Sequence, residues 1–121
     1  MLKGAQYMAI AQELEVHAGE ELQHALLIAK QIDYLGGMPT VTPKPVKTSD
    51  KPEDMLRFDL DNENMTVQNY RVRVRQAEAL SEYALAETLR RILVQEQEHQ
   101  IDLATALGED VPDVTKPNQR A

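Results

Sequence analysis

Residues 92–103 read ILVQEQEHQIDL, and this stretch decides how the rest of the chain is read. Leu85, Leu89, Ile92, Leu103 and Leu107 fall at intervals of four, three, eleven and four residues, all of which return to one side of an α-helix. When successive residues are rotated by about 100°, Glu96 lands inside that apolar face and His99 follows on the same side at i+3. A carboxylate and an imidazole thus stand where apolar residues are expected.

The same period extends backwards. Between about residues 6 and 35, Tyr7, Ile10, Ala11, Leu14, Ala18, Leu22, Ala25, Ile28, Ala29, Ile32 and Leu35 recur at helical spacing, and Gly36 and Gly37 end the run as C-cap residues. Residues 38–51, MPTVTPKPVKTSDK, carry prolines at 39, 43 and 45 and should run extended. Ser49 or Asp50 is the expected cap of a second helix, with Pro52 in its first turn and Glu53 and Asp54 favouring its N-terminal dipole. Leu56, Leu60, Val67, Tyr70, Val74 and Ala77 give that helix its apolar face as far as about Ala79. Ser81 is the expected N-cap of a third, ended by Gly108. The expected helices are therefore about 6–35, 53–79 and 82–107, joined by a crossover loop over 36–52. They form one helical domain over 1–108, followed by a loose tail over 109–121 that holds Pro112 and Pro117.

A helix of about 30 residues is ~45 Å long, and an extended linker of ~15 residues spans about 50 Å. The loop can run the length of the first helix, so the second can lie parallel to it, while the short joint at Ser81 turns the third back against the second. One long crossover in an otherwise antiparallel arrangement belongs to one kind of four-helix bundle.

Composition narrows the chemistry. The chain has 121 residues, 42% of them apolar, with 20 acidic and 13 basic side chains and a formal charge of −7. That balance argues against binding to nucleic acid or anionic lipid, both of which need a basic surface. No run approaches the roughly 18 apolar residues of a membrane span, and no secretion signal is evident, so a soluble cytoplasmic protein is expected. There is no cysteine, so a metal must be held by oxygen and imidazole.

Three acids lie in the apolar faces, one per helix: Glu21 among Leu14, Ala18, Ala25, Ile28 and Ile32, Glu63 near the centre of the second face, and Glu96 in the third. His24 stands at i+3 from Glu21, as His99 does from Glu96. Burying an ionised carboxylate without a partner costs several kcal/mol, and most lysines and arginines fall outward by the same rotation. Bound cations are the economical partner. A single Glu-x-x-His pair carries little weight, because glutamate is common in helices and histidine often packs at a face's edge. Two pairs with a central Glu63 point to divalent iron or manganese held by carboxylate and imidazole, with carboxylates shared between two ions about 3.5–4 Å apart. His17, Glu13 and Glu20 lie together on an edge and read as a solvated rim. Met55 and Met65 read as packing residues, and Asp59 and Asp61 flank the second face.

These residues resemble the ferritin-like superfamily of di-iron carboxylate proteins, bacterioferritin in particular, over about residues 6–107. EELQHA (20–25), PEDMLRFDLDNE (52–63) and ILVQEQEHQIDL (92–103) look like parts of its second, third and fourth helices. The ligand pattern is a glutamate from each of two helices and Glu-x-x-His from each of the other two. The resemblance implies an all-α ferritin-like four-helix bundle to which this chain supplies three long helices. Glu21 and Glu96 would bridge two iron (or manganese) ions, His24 and His99 would each bind one, and Glu63 would be a terminal ligand. It further implies oxidation of Fe(II) by O2 or peroxide, a role in iron homeostasis or oxidative-stress protection, and a homo-oligomer. Two departures follow. Leu22 stands where bacterioferritin has its haem-binding methionine, so haem is not expected. The family's first helix, with a sixth ligand, has no counterpart before residue 6, so it is expected from another subunit or from an absent N-terminal segment. The rival reading is a helical assembly or scaffold module whose metal site is structural or vestigial.

Overall fold

The computed structural model describes residues 4–40, 42–111 and 113. Among these it is all-helical, with no strand: a 3-10 turn at Ala5–Tyr7 leads into α1 (Met8–Tyr34), followed by α2 (Pro52–Ala79) and α3 (Tyr83–Ala106). Most of the segment expected as a loose tail, 112 and 114–121, lies outside the described residues, as does Val41 in the crossover.

α2 and α3 form an antiparallel hairpin, and α1 packs along α3. Ile10 meets Leu56, Leu60, Leu103 and Ala104 in one apolar cluster, which sets α1 parallel to α2 and opposite to α3. A second cluster of Val74, Ala77, Ala86 and Leu89 closes the other end of the hairpin. Between the two ends lie Val67 and Ile92, both fully buried, and the polar residues of the centre. No Cα of α1 comes within 8 Å of one in α2 among the described residues, so α1 reaches α2 through side chains alone.

All three helices stop in the same way. Residues Gly36, Ser81 and Gly108 take positive φ (85°, 60° and 70°), and in each case the next residue donates back to the carbonyl five residues before it: Gly37 to Ile32, Glu82 to Ala77 and Glu109 to Ala104. This left-handed stop satisfies carbonyls that the helix end leaves free. The stop explains a departure from the sequence reading, since Ser81 terminates α2 and Glu82 is the N-cap of α3, without a side-chain cap bond. At the start of α2 the N-cap is Lys51, not Ser49 or Asp50. Ser49 acts one step earlier, its Oγ accepting from the Lys51 amide (3.1 Å) and donating to Asp54 (3.1 Å). Met65 is exposed and does not pack, whereas half-buried Met55 accepts from the Ser49 amide through Sδ (3.2 Å).

Candidate metal centre

The buried residues of α1 are Ile10, His17 and His24, a strict seven-residue spacing that makes two histidines part of the seam facing α3. On α3, Ile92, Glu96, His99 and Leu103 follow one another down the buried face, and Glu96 is completely buried. α2 contributes Glu63, one turn before Val67.

These placements bring Glu21, Glu63, Glu96 and His99 together, each with a ligand atom within 4.8 Å of the others. His99 Nδ1 lies 3.1 Å from Glu21 Oε1, 3.6 Å from Glu96 Oε2 and 3.7 Å from Glu63 Oε1. His24 stands beside the group. It donates from Nδ1 to Glu96 Oε1 (2.8 Å), lies 3.7 Å from Glu21 Oε2, and its Nε2 is bonded to the Gln95 side chain. Glu96 therefore turns one oxygen to His24 and the other toward His99.

The electrostatics are those of a cluster wanting a cation. Burial pushes the Glu63 carboxyl up to about 8, aided by the neighbouring Glu96 and Glu21. For Glu96 burial acts in the same direction, but the polar contacts of His99, Glu63 and Glu21 outweigh it and hold the carboxyl below its ordinary range. Burial works against the charge on His99, and the three carboxylates overcome it, raising the imidazole to about 12. Tyr70 of α2, pushed up to about 12 by burial and then by Glu96, Glu21 and Glu63, lies within the field of the same cluster.

The donor set fits a metal. Glu63 Oε2, Glu96 Oε2 and both ring nitrogens of His99 are buried and make no hydrogen bond. Such groups are costly unless something satisfies them. The ion pairs of Arg57, Arg90 and Arg91 go to Glu109, Glu78 and Glu87, away from the cluster. Oxygen and imidazole without sulfur is a set for iron, manganese or zinc.

Three features depart from the sequence reading. Glu21, read as lying within the stripe, has a side chain 47% exposed, because neither α2 nor α3 covers that flank of α1. His17, read as part of a solvated rim, is only 7% exposed. Its ring stacks on that of His99 with centroids 3.9 Å apart, and its Nε2 donates to Asp102 Oδ2 (2.9 Å). The missed signal was the spacing Ile10, His17, His24, which a reading weighted by hydrophobicity assigns to an edge. Glu20, also placed on that rim, is half-buried with Oε1 3.5 Å from His99 Nε2.

An all-helical frame with four carboxylate and imidazole side chains converging between its helices defines a helical carboxylate protein with side chains that could hold a divalent metal. The chain belongs to the ferritin-like domain family, whose family model matches residues 1–111. Among solved structures it is similar to a ferritin-like, diiron-carboxylate protein from Bacillus anthracis str. Ames, at 29% identity and a TM-score of 0.83, over 88% of this chain and 77% of that one. A comparison with curated proteins returns no match. Among the described residues no helix is long and apolar enough to cross a membrane.

Proposed function

We propose that this chain holds a pair of divalent ions, iron or manganese, and oxidises Fe(II) with O2 or peroxide, in iron homeostasis or in protection against oxidative stress. The observation that carries the reading is the convergence of buried oxygen and nitrogen atoms that make no hydrogen bond. Glu21, Glu63, Glu96 and His99 would hold one ion. His24 would hold the second, with Glu96 and Glu21 shared between the two. Bound there, the metal supplies the electrons that reduce the oxidant. The chain's own residues set the conditions for this. His24 is held in one orientation by Gln95, Leu60, Val67 and Ile92 keep water from the α2–α3 side, and Glu63 holds a proton at neutral pH that it gives up when a cation arrives.

The uncovered flank of α1, with Glu21, Leu22 (61% exposed) and Leu26 (49% exposed), is where a further helix and its glutamate would complete the ligand set. We assign that role to another copy of the chain in a homo-oligomer or to chain outside this sequence; native mass decides between them. The same apolar flank supports the second reading, an assembly module whose metal is structural.

Anaerobic Fe(II) titration of the metal-stripped protein, followed by admission of air, tests the proposal. Close to two ions per completed site are expected, with oxidation much faster than in a Glu63→Ala/Glu96→Ala variant. If no metal binds, the metal reading is wrong. If metal binds but the two proteins oxidise Fe(II) equally fast, the oxidase reading fails and the assembly reading stands.

A further inference from the structure

A second group of potential ligands lies one ring away from the centre. Glu13 and His17 of α1 and Asp102 of α3 offer ligand atoms within 4.8 Å of one another. The imidazole in this group is nine-tenths buried, while Asp102 is 37% exposed and Glu13 is exposed, so the group is anchored inside and open outside. From these residues we propose a separate binding site for one divalent first-row cation, distinct from the Glu21, Glu63, Glu96 and His99 cluster.

Geometry carries this first. Two ligand atoms bound to one ion at about 2.1 Å stand about 3.0 Å apart when cis and about 4.2 Å apart when trans. The His17 Nε2 to Asp102 Oδ2 separation of 2.9 Å is thus already that of cis ligands, with a proton now in the ion's place. Glu13 lies one helical turn before His17 on the same face and supplies the third atom without any change of backbone.

Charge balance points the same way. Burial raises the carboxyl of half-buried Asp59 of α2 and the nearby His17 opposes that rise, so Asp59 stands with Glu13 and Asp102 about one imidazole. Three carboxylates around one imidazole leave acid in excess, and the ion pairs of Arg57, Arg90 and Arg91 lie elsewhere. A divalent cation would balance the excess. A cleft of about 270 Å³, lined in part by Tyr7, Ile10, Glu13 and Asp102, opens beside the group and leaves room for water to fill the remaining coordination positions. One imidazole and two carboxylates with open positions suit manganese, iron or zinc.

Co(II) is the probe, because its visible absorption reports nitrogen and oxygen coordination and elemental analysis counts the ions. The full-length protein, stripped of metal and kept anaerobic, is compared with Asp102→Asn and Glu13→Gln, and all three are repeated in a Glu63→Gln/Glu96→Gln background. Asp102→Asn is expected to take up one ion fewer per chain than its parent in both backgrounds, with the helical circular-dichroism signal retained. Glu13→Gln, at an exposed position that does not threaten folding, is expected to weaken uptake of that ion by at least about tenfold. Loss of the ion in the doubly substituted background separates this site from the main centre, whichever way the main centre behaves. Equal Co(II) uptake and equal spectra in parent, Asp102→Asn and Glu13→Gln would overturn the proposal and leave His17 and Asp102 as a hydrogen-bonded pair that packs against His99.

Discussion

Loading the main centre with metal should expel protons from His99 and Glu63. His99 is held up to about 12, so at about pH 7 it carries one full proton that must leave before Nδ1 can bind an ion. Glu63 is held up to about 8, which leaves it roughly 0.9 protonated at about pH 7 and roughly 0.25 protonated at about pH 8.5. Glu96 is held low and contributes none. The two groups titrate together, so their joint release exceeds one proton at about pH 7 and is smaller at about pH 8.5. The decisive quantity is the difference between the wild type and Glu63→Gln, because it removes protons released elsewhere. It should be about 0.9 at the lower pH and about 0.25 at the higher. Calorimetric titration with Mn(II) under anaerobic conditions, in buffers of different ionisation enthalpy, measures the count directly. If wild type and Glu63→Gln release equal numbers of protons at both pH values, Glu63 is not the buried, proton-holding ligand described above.

The same groups set the pH dependence of the metal-free fold. Glu63 and His99 are both raised, from 4.5 and 6.5, so their stabilising contributions are complete below those values and are lost as pH rises toward about 8 and about 12. Thermal unfolding should therefore show stability falling from about pH 6 to pH 8, by up to ~1.4 kcal/mol per pH unit for each proton, and less steeply in Glu63→Gln. Ser81→Gly should stabilise the chain by about 1 kcal/mol in denaturant unfolding, since Ser81 holds a left-handed conformation that glycine adopts without cost. Leu60→Ala, at a fully buried position shared by all three helices, should cost about 2–5 kcal/mol by the same measurement. If it costs less than ~1 kcal/mol, the α1–α2–α3 apolar cluster does not hold that end together.

The helices were legible because apolar spacing is a local property. Leu56, Leu60, Val67, Val74 and Ala77 marked the buried face of α2 and are buried there. Glu63, Glu96 and His99 stood out because each interrupts such a face. α1 was harder to read, since its seam runs through Ile10, His17 and His24, and counting apolar residues drew the face toward Leu22 and Ala25, both exposed, instead. The bond from His24 to Glu96 and the stacking of His17 on His99 depend on how far α3 is offset along α1. No single-helix pattern contains that offset. The caps were misplaced for a different reason, because Ser81 uses its backbone where sequence rules expect its hydroxyl.

α1 is tied to the hairpin by one buried apolar residue, Ile10, with Leu14 partly buried beside it, and by two buried histidines, and its chain connection to α2 is the long segment 35–51. Beyond Leu14 it is therefore held to α3 mainly by polar contacts, His17 with Asp102 and His24 with Glu96. A helix attached in this way acts as an occupancy gauge. Amide hydrogen exchange along its C-terminal half should be fast in the stripped protein and slow as ions are taken up, while exchange at the α2–α3 joint stays nearly constant. If the centre takes up ions as proposed, metal uptake and completion of the fold are a single equilibrium, and an agent that withdraws the ions would also loosen α1.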